Sequence, residues 1–319
     1  MRVLVTGGSG YKGSVLVPKL LAAGHIVTSV DTRWFGHNLP EHQNLYIVEQ
    51  DIRKGVACEN QDAVIHLAGI ANDPCGELDA KLTWEVNVLA TLGLAESAVR
   101  AGVKQFIFAS SASVYGVKGN APVVEDTSLE PVSDYNKTKM CAERVLLSYA
   151  DKMAVQIIRP ATVCGVSPRM RLDVVVNALT ALAKKEKEIK VMTPDLFRPH
   201  IHIEDVTDLY CWMLDRPTLT GCFNAGFENQ TIMDTALAIS KRLKVPVTAS
   251  SAYFDKRSYR VSSKKLLDAG FRPKHTVAMA ITEIAKGLET GSIVDDERAY
   301  NLKYLLGKGI VAGHRQGNP

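Results

Sequence analysis

A glycine-rich turn near the N-terminus constrains this sequence more than any other feature. Thr6-Gly7-Gly8-Ser9-Gly10-Tyr11-Lys12-Gly13 follows a short apolar strand and leads into a helix over residues 13–23. Its glycines repeat at every third residue, which suits a tight turn (Gly7), a backbone that approaches a phosphate (Gly10) and close packing of the helix on the strand (Gly13). Free N–H groups at the start of a helix bind phosphate. The segment therefore predicts a dinucleotide-binding unit, with Ser9, Tyr11 and Lys12 inside the turn.

Lys12 is the unusual residue of this turn. It stands where the start of such a helix would carry an apolar side chain. The lysine can either reach the pyrophosphate or face water, and the sequence slightly favours water.

Acidic residues follow the next two predicted strands. Asp31 ends the second strand, where a carboxylate accepts hydrogen bonds from the adenosine ribose and repels the 2′-phosphate of NADP, so NAD is the favoured cofactor. Arg33 keeps NADP open as the alternative, because an arginine there can pair with that phosphate. Asp51 and Ile52 follow the third strand and could bracket the adenine, although Asp51 could equally cap a helix.

Alternating strands and helices in the first half predict a parallel, doubly wound sheet of the Rossmann type. We expect residues 1–165 to form the NAD-binding domain, with segments near 198–228 returning to it because Phe223-Asn224-Ala225 has a strand pattern. Residues 166–319 are expected to form most of a smaller α/β substrate domain. The tail from about Gly307 is expected to fray.

Charge and cysteine content narrow the function classes. The net charge is +4, and the densest basic stretch, at 184–187, contains a glutamate, so no nucleic-acid partner is expected. The six cysteines show neither CxxC nor metal-ligand spacing, which indicates no metal site and a reducing compartment. The chain opens on a strand and has no apolar run long enough for a membrane span, so a cytoplasmic protein without membrane contact is expected.

A catalytic group is indicated by residues 110–139. Ser111 follows the end of the strand at 105–109, and Tyr135 and Lys139 lie four residues apart on one face of a predicted helix. A lysine ammonium beside a phenol lowers the pKa of that phenol, so that Tyr135 can take a proton from a sugar or alcohol hydroxyl. A serine opposite can hydrogen-bond the same oxygen.

Together these residues resemble the extended branch of the short-chain dehydrogenase/reductase superfamily, which contains nucleotide-sugar epimerases and dehydratases. The resemblance runs over nearly the whole chain. It rests on TGGSGYKG (6–13), Asp31, DI (51–52), IHLAG (65–69), Asn87, SSASVYG (110–116), YNKTK (135–139), RPATVCG (159–165), RPHIHIEDV (198–206) and FNAG (223–226).

The resemblance implies roles for individual residues. Ser111 corresponds to the catalytic serine or threonine, Tyr135 to the base and Lys139 to its partner, which also holds the nicotinamide ribose. Asn87 is implied to order the active-site helix. The other implied cofactor residues are Leu67, Ala68, Gly69 and Pro160.

The same resemblance implies the reaction, namely NAD-dependent oxidation of a nucleotide-diphosphate sugar, usually at C4, through a 4-keto intermediate. Dehydratases of the family carry an Asp-Glu pair directly after the catalytic residue, and this chain has Ala112 and Ser113 there, which disfavours elimination. A 4-epimerase is the favoured reaction. A 4-dehydrogenase or ketoreductase with net redox remains the alternative, and a non-catalytic regulator is disfavoured because Tyr135 and Lys139 are both present.

The sequence constrains the substrate-binding residues and the oligomeric state less than it constrains the cofactor site. The diphosphate of a sugar nucleotide calls for arginines, and the resemblance points to Arg257 or Arg260 without choosing between them. The resemblance also implies a homodimer whose contact includes the Tyr135 helix. Further candidate substrate residues are Ser111, Ala112, Ser113, Thr162, Arg169, Asp173 and Arg198.

Overall fold

A computed structural model describes residues 1–119, 121–250 and 258–310. Seven parallel strands form its main sheet in the order β11-β7-β5-β4-β1-β2-β3. The order reverses between β1 and β4, which is the switch point at which ligands bind in sheets of this kind. The strands of the main sheet are β1 (Arg2–Thr6), β2 (Ile26–Asp31), β3 (Leu45–Glu49), β4 (Ala63–His66), β5 (Gln105–Ala109), β7 (Ala154–Pro160) and β11 (Gly221–Ala225).

The predicted Rossmann-like α/β fold is confirmed, and β11 returns to the main sheet beside β7 as its Phe-Asn-Ala pattern indicated. β10 does not enter that sheet. It pairs with β8 and β12 in a three-stranded sheet, so only part of the 198–228 segment lies on the large sheet. The remaining strands are β6 (Pro122–Val123), β8 (Thr162–Cys164), β9 (Ile189–Val191), β10 (Phe197–His202), β12 (Glu228–Thr231), β13 (Val247–Ala249) and β14 (Arg260–Val261).

Helices cover both faces of the main sheet. Apolar cores lie between the sheet and helices α1 and α7 on one side, and between the sheet and α4 and α5 on the other. The helices are α1 (Gly13–Ala22), α2 (Asp73–Leu78), α3 (Ala80–Trp84), α4 (Ala90–Arg100), α5 (Asp134–Leu147), α6 (Val175–Glu186), α7 (Ile203–Leu214), α8 (Ile232–Leu243), α9 (Lys264–Asp268), α10 (Val277–Thr290) and α11 (Asn301–Gly307). Among the described helices, none has the length and apolar character needed to cross a membrane.

The segment between β4 and β5 is broken into short pieces. The apolar spacing predicts a long helical stretch over about 78–102, either continuous or broken, and the structure has the broken form: α2, α3 and α4 are joined through Asp79 and a π-helical turn at Glu85–Leu89. Asp79 breaks the run because its carboxylate caps the start of α3 by accepting from the Leu82 N–H (2.9 Å). The π turn carries Asn87, whose amide joins β4 to α5.

The last described helix comes near the end of the chain. Residues 301–307 form α11, and Leu305 is buried against the main core. The fraying predicted from about Gly307 falls mainly on residues 311–319, which lie outside the described residues. Tyr304 packs on Phe35, with ring centroids 5.1 Å apart. The helix therefore docks beside the carboxyl end of β2.

Candidate active site

A cleft of about 690 Å³ opens at the carboxyl ends of the main strands, where the strand order reverses. The glycine turn and the loops after β2, β4 and β5 line one part of it, and residues between 160 and 198 line the rest. Nearly all the predicted cofactor residues meet here, although they come from segments far apart in the chain.

The glycine turn fits a bound pyrophosphate. Gly7 has a φ of +75°, and a Cβ there would lie 2.6 Å from the Ala68 nitrogen. A Cβ on Gly13 would overlap the carbonyl oxygens of Gly7 and Gly8. The hydroxyl of Ser9 is buried and has no hydrogen-bond partner among the described residues. A phosphate-binding turn needs backbone N–H groups that no side chain covers and polar groups without another partner. The start of α1 offers both.

Asp31 lies next to this turn. Its carboxylate accepts hydrogen bonds from the N–H groups of Ser9 (2.9 Å) and Arg33 (2.7 Å). Burial raises the pKa of Asp31, and the two backbone hydrogen bonds oppose that rise. The Arg33 guanidinium pairs with Glu49 (3.1 Å), so its charge is already engaged away from a 2′-phosphate. Both observations fit an adenosine ribose with free hydroxyls, as in NAD.

The loops after β2 and β3 form one end of the cleft. Asp51 and Ile52, which the sequence predicts to bracket the adenine, line the cleft there. The Asp51 carboxylate also caps a 3-10 turn by accepting from the Arg53 N–H (2.9 Å), and it pairs with the Arg53 guanidinium (2.7 Å). The capping alternative is thus present, and it coexists with a position at the cleft wall.

Residues after β4 and β7 form the middle of the cleft. Leu67, Ala68, Gly69 and Pro160 all line it. Asn87, predicted as a cofactor residue, is not among the described residues that line the cleft. Its amide instead accepts from the Ile70 N–H (2.9 Å) and donates to the Thr138 hydroxyl (3.0 Å). Asn87 therefore positions the β4 loop against α5.

The three predicted catalytic residues converge at the end of β5. Tyr135 is hydrogen-bonded to Ser111, and all three residues line the cleft. Lys139 is buried and donates from Nζ to the Ala109 carbonyl (3.0 Å). The helix brings Tyr135 and Lys139 to one face, and the Ser133 hydroxyl caps its start by accepting from the Asn136 N–H (3.2 Å).

The expected lowering of the tyrosine pKa is not produced by the protein residues alone. Burial raises the pKa of Tyr135 to about 12, although the hydrogen bond from Ser111 lowers it in part. Burial also lowers the pKa of Lys139 to about 7, and the charge of Lys12 adds to that lowering. Desolvation favours the neutral form of both groups, so the lowered phenol pKa that the sequence predicts would need further positive charge beside Tyr135, such as that of bound NAD⁺.

A hydrogen-bonded chain supports Ser111 from behind. Its hydroxyl pairs with that of Ser113 (2.7 Å), and Ser113 donates to the Asn136 side-chain oxygen. Asn136 donates to the Asp73 carboxylate (2.9 Å). Ala112, predicted as a substrate residue, is instead fully buried in a small core with Tyr115 and Val123. Asp73 was missed because no motif marked it.

Two arginine side chains, those of Arg169 and Arg171, lie at the wall of the cleft. Arg171 pairs with Asp173 (2.7 Å), and the Arg169 guanidinium lies 3.8 Å from the centroid of the Phe35 ring. Burial lowers the pKa of Arg169 to about 9, and the neighbouring Arg171 lowers it further. Arg169 also donates to the side chain of Asn301 at the start of α11.

Two cleft residues behave differently from the sequence interpretation. Lys12 does not face water. It is half-buried, and its Nζ lies 6.0 Å from the centroid of the Tyr210 ring. The Tyr11 side chain points away from the glycine turn, and its hydroxyl donates to the Gly165 carbonyl (2.8 Å). This hydrogen bond joins the start of α1 to the segment after β8.

The substrate side has a partly different lining from the predicted one. Thr162 and Arg198 line the cleft. Arg260 is not among its described lining residues, and its guanidinium lies 4.2 Å from the centroid of the Phe197 ring. Arg257 falls outside the described residues. The sequence missed Lys190, Met192 and Tyr259, which also line the cleft but belong to no motif.

This cleft defines a class of protein. A Rossmann sheet with a glycine turn, an acidic residue after β2, and a Ser-Tyr-Lys group beside the same cleft describes a dinucleotide-dependent oxidoreductive enzyme. Among the described residues, no group of three or more His, Cys, Asp or Glu side chains is arranged to hold a metal ion.

Comparison with known proteins identifies the family. Residues 3–226 match the model of the NAD dependent epimerase/dehydratase family, and the chain belongs to that family. The cofactor of the family is NAD.

Similar proteins of known name are mainly 4-epimerases of UDP sugars. A UDP-glucose 4-epimerase of Lactobacillus helveticus is 27% identical over 310 residues, which are 86% of this chain and 93% of that protein. A putative UDP-arabinose 4-epimerase 2 of Arabidopsis thaliana is 30% identical over 264 residues, 70% of this chain and 63% of that one. The chain thus spans somewhat less than two thirds of this plant relative.

Solved structures share the whole fold. The UDP-glucose 4-epimerase of Thermus thermophilus in complex with NAD has a TM-score of 0.79 and 26% identity, and the match covers 92% of this chain and 100% of that one. MoeE5 in complex with UDP-glucuronic acid and NAD has a TM-score of 0.81 and 25% identity, with coverage of 91% and 100%.

Proposed function

We propose that this protein is an NAD-dependent 4-epimerase of a UDP sugar. The observation that carries the proposal is the Ser111-Tyr135-Lys139 group at the NAD cleft, with Ala112 and Ser113 in place of an acidic pair. The names of the relatives support UDP as the nucleotide. Bound NAD supplies the chemistry of accepting a hydride from the sugar carbon and returning it.

Tyr135 is the proposed proton acceptor for the C4 hydroxyl. The Tyr135 side chain is half-buried at the cleft and its phenol is hydrogen-bonded to Ser111, so that both groups can contact one sugar oxygen. With a pKa of about 12, the phenol stays protonated near neutral pH until positive charge is placed beside it. Lys139 is the cation that shares its helix face, and we propose that it is protonated in the loaded site.

Ser111 is proposed to hold the reacting oxygen while Tyr135 takes its proton and later returns it. Asp73, the carboxylate whose charge acts on Tyr135, accepts from Asn136 (2.9 Å) and from the Ser133 hydroxyl. These bonds give it a positioning role behind Ser113, in contrast to an acid that would expel a sugar hydroxyl. This arrangement supports epimerisation over elimination.

The experiment is an epimerisation assay without added cofactor. Purified protein is incubated with UDP-glucose, UDP-galactose, UDP-xylose or UDP-arabinose, and the nucleotide sugars are separated by chromatography while NADH absorbance is followed. We expect interconversion of one C4 pair with no net NADH. Net NADH and a keto product would instead establish the dehydrogenase alternative.

Tyr135→Phe is the matched variant for that assay, because it removes the phenolic oxygen and keeps the ring. We expect it to reduce turnover by roughly 10²–10⁴-fold. The protein should still retain NAD, measured by chromatography of the nucleotide released on denaturation. Full activity of this variant would contradict the proposed role.

We further propose the wider setting of the enzyme. Residues 166–319 would supply most of the sugar-nucleotide side, for which Arg169, Asp173 and Arg198 at the cleft are the support. A homodimer through α4 and α5 is supported by the exposed Leu89 (61%) and Trp84 (36%) beside α4, and Leu89→Glu should then yield monomers in light scattering. The six free cysteines support a reducing, cytoplasmic location. The sugar-nucleotide relatives support a role in carbohydrate biosynthesis.

A further inference from the structure

Lys12 is the residue of the glycine turn to which the proposed reaction gives no role. It precedes α1, at the point where the turn delivers its N–H groups to a phosphate. Its side chain enters the cleft and does not extend into solvent. An apolar residue would suit this half-buried place, so the charge itself requires an explanation.

The contacts of Lys12 place its ammonium toward the catalytic end of the cleft. Its Nζ lies 6.0 Å from the centroid of the Tyr210 ring. Tyr210 is fully buried, its hydroxyl has no hydrogen-bond partner among the described residues, and Tyr135 is the titratable neighbour that acts on it. The charge of Lys12 also acts on Lys139 and lowers the pKa of that group.

Two ammonium groups therefore share the region where the nicotinamide must lie, since that ring has to reach the carbon whose hydroxyl faces Tyr135. Lys139 has a defined anchor in the Ala109 carbonyl (3.0 Å). Within the described ranges, Lys12 has an aromatic face beside it and a second cation, Arg171, acting on it. A half-buried positive charge with no anionic partner among the described residues acts on other charges in the cleft.

We propose that Lys12 poises the bound cofactor toward its reduced form. With a nicotinamide bound, oxidation of the sugar would transfer a hydride to it while Tyr135 takes the proton of the hydroxyl, and the ring would change from one positive charge to none. The Lys12 ammonium would then disfavour the charged oxidised form and leave the neutral reduced form nearly unaffected. Lys12 thereby favours the half-reaction that forms the keto sugar.

The test measures the preference of the protein for the two cofactor forms, and it needs no sugar. The full-length protein is equilibrated with NAD⁺ and NADH mixtures of known ratio, free cofactor is removed by rapid filtration, and the bound forms are quantified by chromatography after denaturation. We expect Lys12→Met to shift the bound ratio toward NAD⁺ by about tenfold, and Lys12→Arg to keep the ratio of the unaltered protein.

Lys190→Met is the matched control, because it removes a lysine from another part of the same cleft and should leave the ratio unchanged. If Lys12→Met weakens NAD⁺ and NADH equally, Lys12 is a phosphate contact and the proposal is wrong. An unchanged ratio refutes it as well. If the methionine variant does not fold, Lys12→Gln answers the same question. If the bound ratio does not respond to Lys12, the protein can still be an epimerase, because the epimerisation assay does not depend on that ratio. The two proposals are therefore tested separately.

Discussion

Ser111→Ala should move the pH dependence of catalysis to higher pH. Burial raises the pKa of Tyr135 to about 12, and the hydrogen bond from Ser111 is the largest influence that lowers it. A hydrogen bond to an ionised group is stronger than one to a neutral group by about 1 kcal/mol. Since one pKa unit corresponds to about 1.4 kcal/mol, removing the hydroxyl should raise the pKa of the phenol by roughly 0.7 to 1 unit.

The sign of the effect follows from the role of the phenol. Tyr135 must be deprotonated to accept the proton of the sugar, so activity rises with pH through the pKa of Tyr135 in the loaded site. A higher pKa displaces that rising limb toward alkaline pH. Below the limb, Ser111→Ala should lose about five- to tenfold more activity than it loses on the plateau above the limb.

The assay is kcat/KM measured from about pH 6 to about pH 10 for the unaltered protein, Ser111→Ala and Ser113→Ala. Ser113 contacts Ser111 (2.7 Å) and Asn136, so its removal should disturb Tyr135 only indirectly and shift the limb by less than half a unit. Ser111→Thr should restore the original limb. A uniform loss of activity with an unmoved limb would refute the reasoning, because Ser111 would then bind substrate without acting on the phenol.

Three further changes test other parts of the structure. Arg159→Met leaves the buried Glu143 carboxylate without its guanidinium partner (2.7 Å) and should lower the free energy of unfolding by about 3–5 kcal/mol in urea titration; a loss below about 1 kcal/mol would contradict this. Gly13→Ala should abolish NAD retention because its Cβ overlaps two carbonyls of the turn, whereas Gly93→Ala, which has open space around it, should leave bound NAD unchanged. Removal of residues 301–319 deletes the docked helix α11 and should speed NAD release at least severalfold in a filtration assay, and an unchanged release rate would show that the helix does not retain cofactor.

Local patterns were sufficient to predict the sheet and the convergence of Ser111, Tyr135 and Lys139 at one cleft. The glycine turn, the strand ends and the four-residue spacing of Tyr135 and Lys139 are determined over a few residues each, and parallel strands then bring their carboxyl ends to one edge. The return of β11 was also predictable because Phe223 and Ala225 carry a buried-strand pattern. These features need no knowledge of distant contacts.

Features that depend on distant packing could not be predicted in this way. Arg169 lies on Phe35 and bonds to Asn301, which joins three segments that are far apart in the chain. No periodic pattern marks such a contact. The half-buried position of Lys12 was not predicted for the same reason, because the Tyr210 ring beside it belongs to the distant helix α7. The high pKa of Tyr135 arises from burial, which spacing along a helix does not reveal.

Enclosure of the dinucleotide site bears on whether the hydride returns to the same sugar. Arg169 and Phe35 stack beside Asp31, and α11 packs against both, so segments from distant parts of the chain close around the adenosine end of the cleft. An enzyme that releases NADH after every turnover gains nothing from such enclosure, because the cofactor must leave each time. An epimerase reuses one cofactor molecule, and slow release then prevents loss of the reduced form before the hydride returns. A cation at Lys12 that favours the reduced form fits the same requirement, and both features favour internal recycling over net redox.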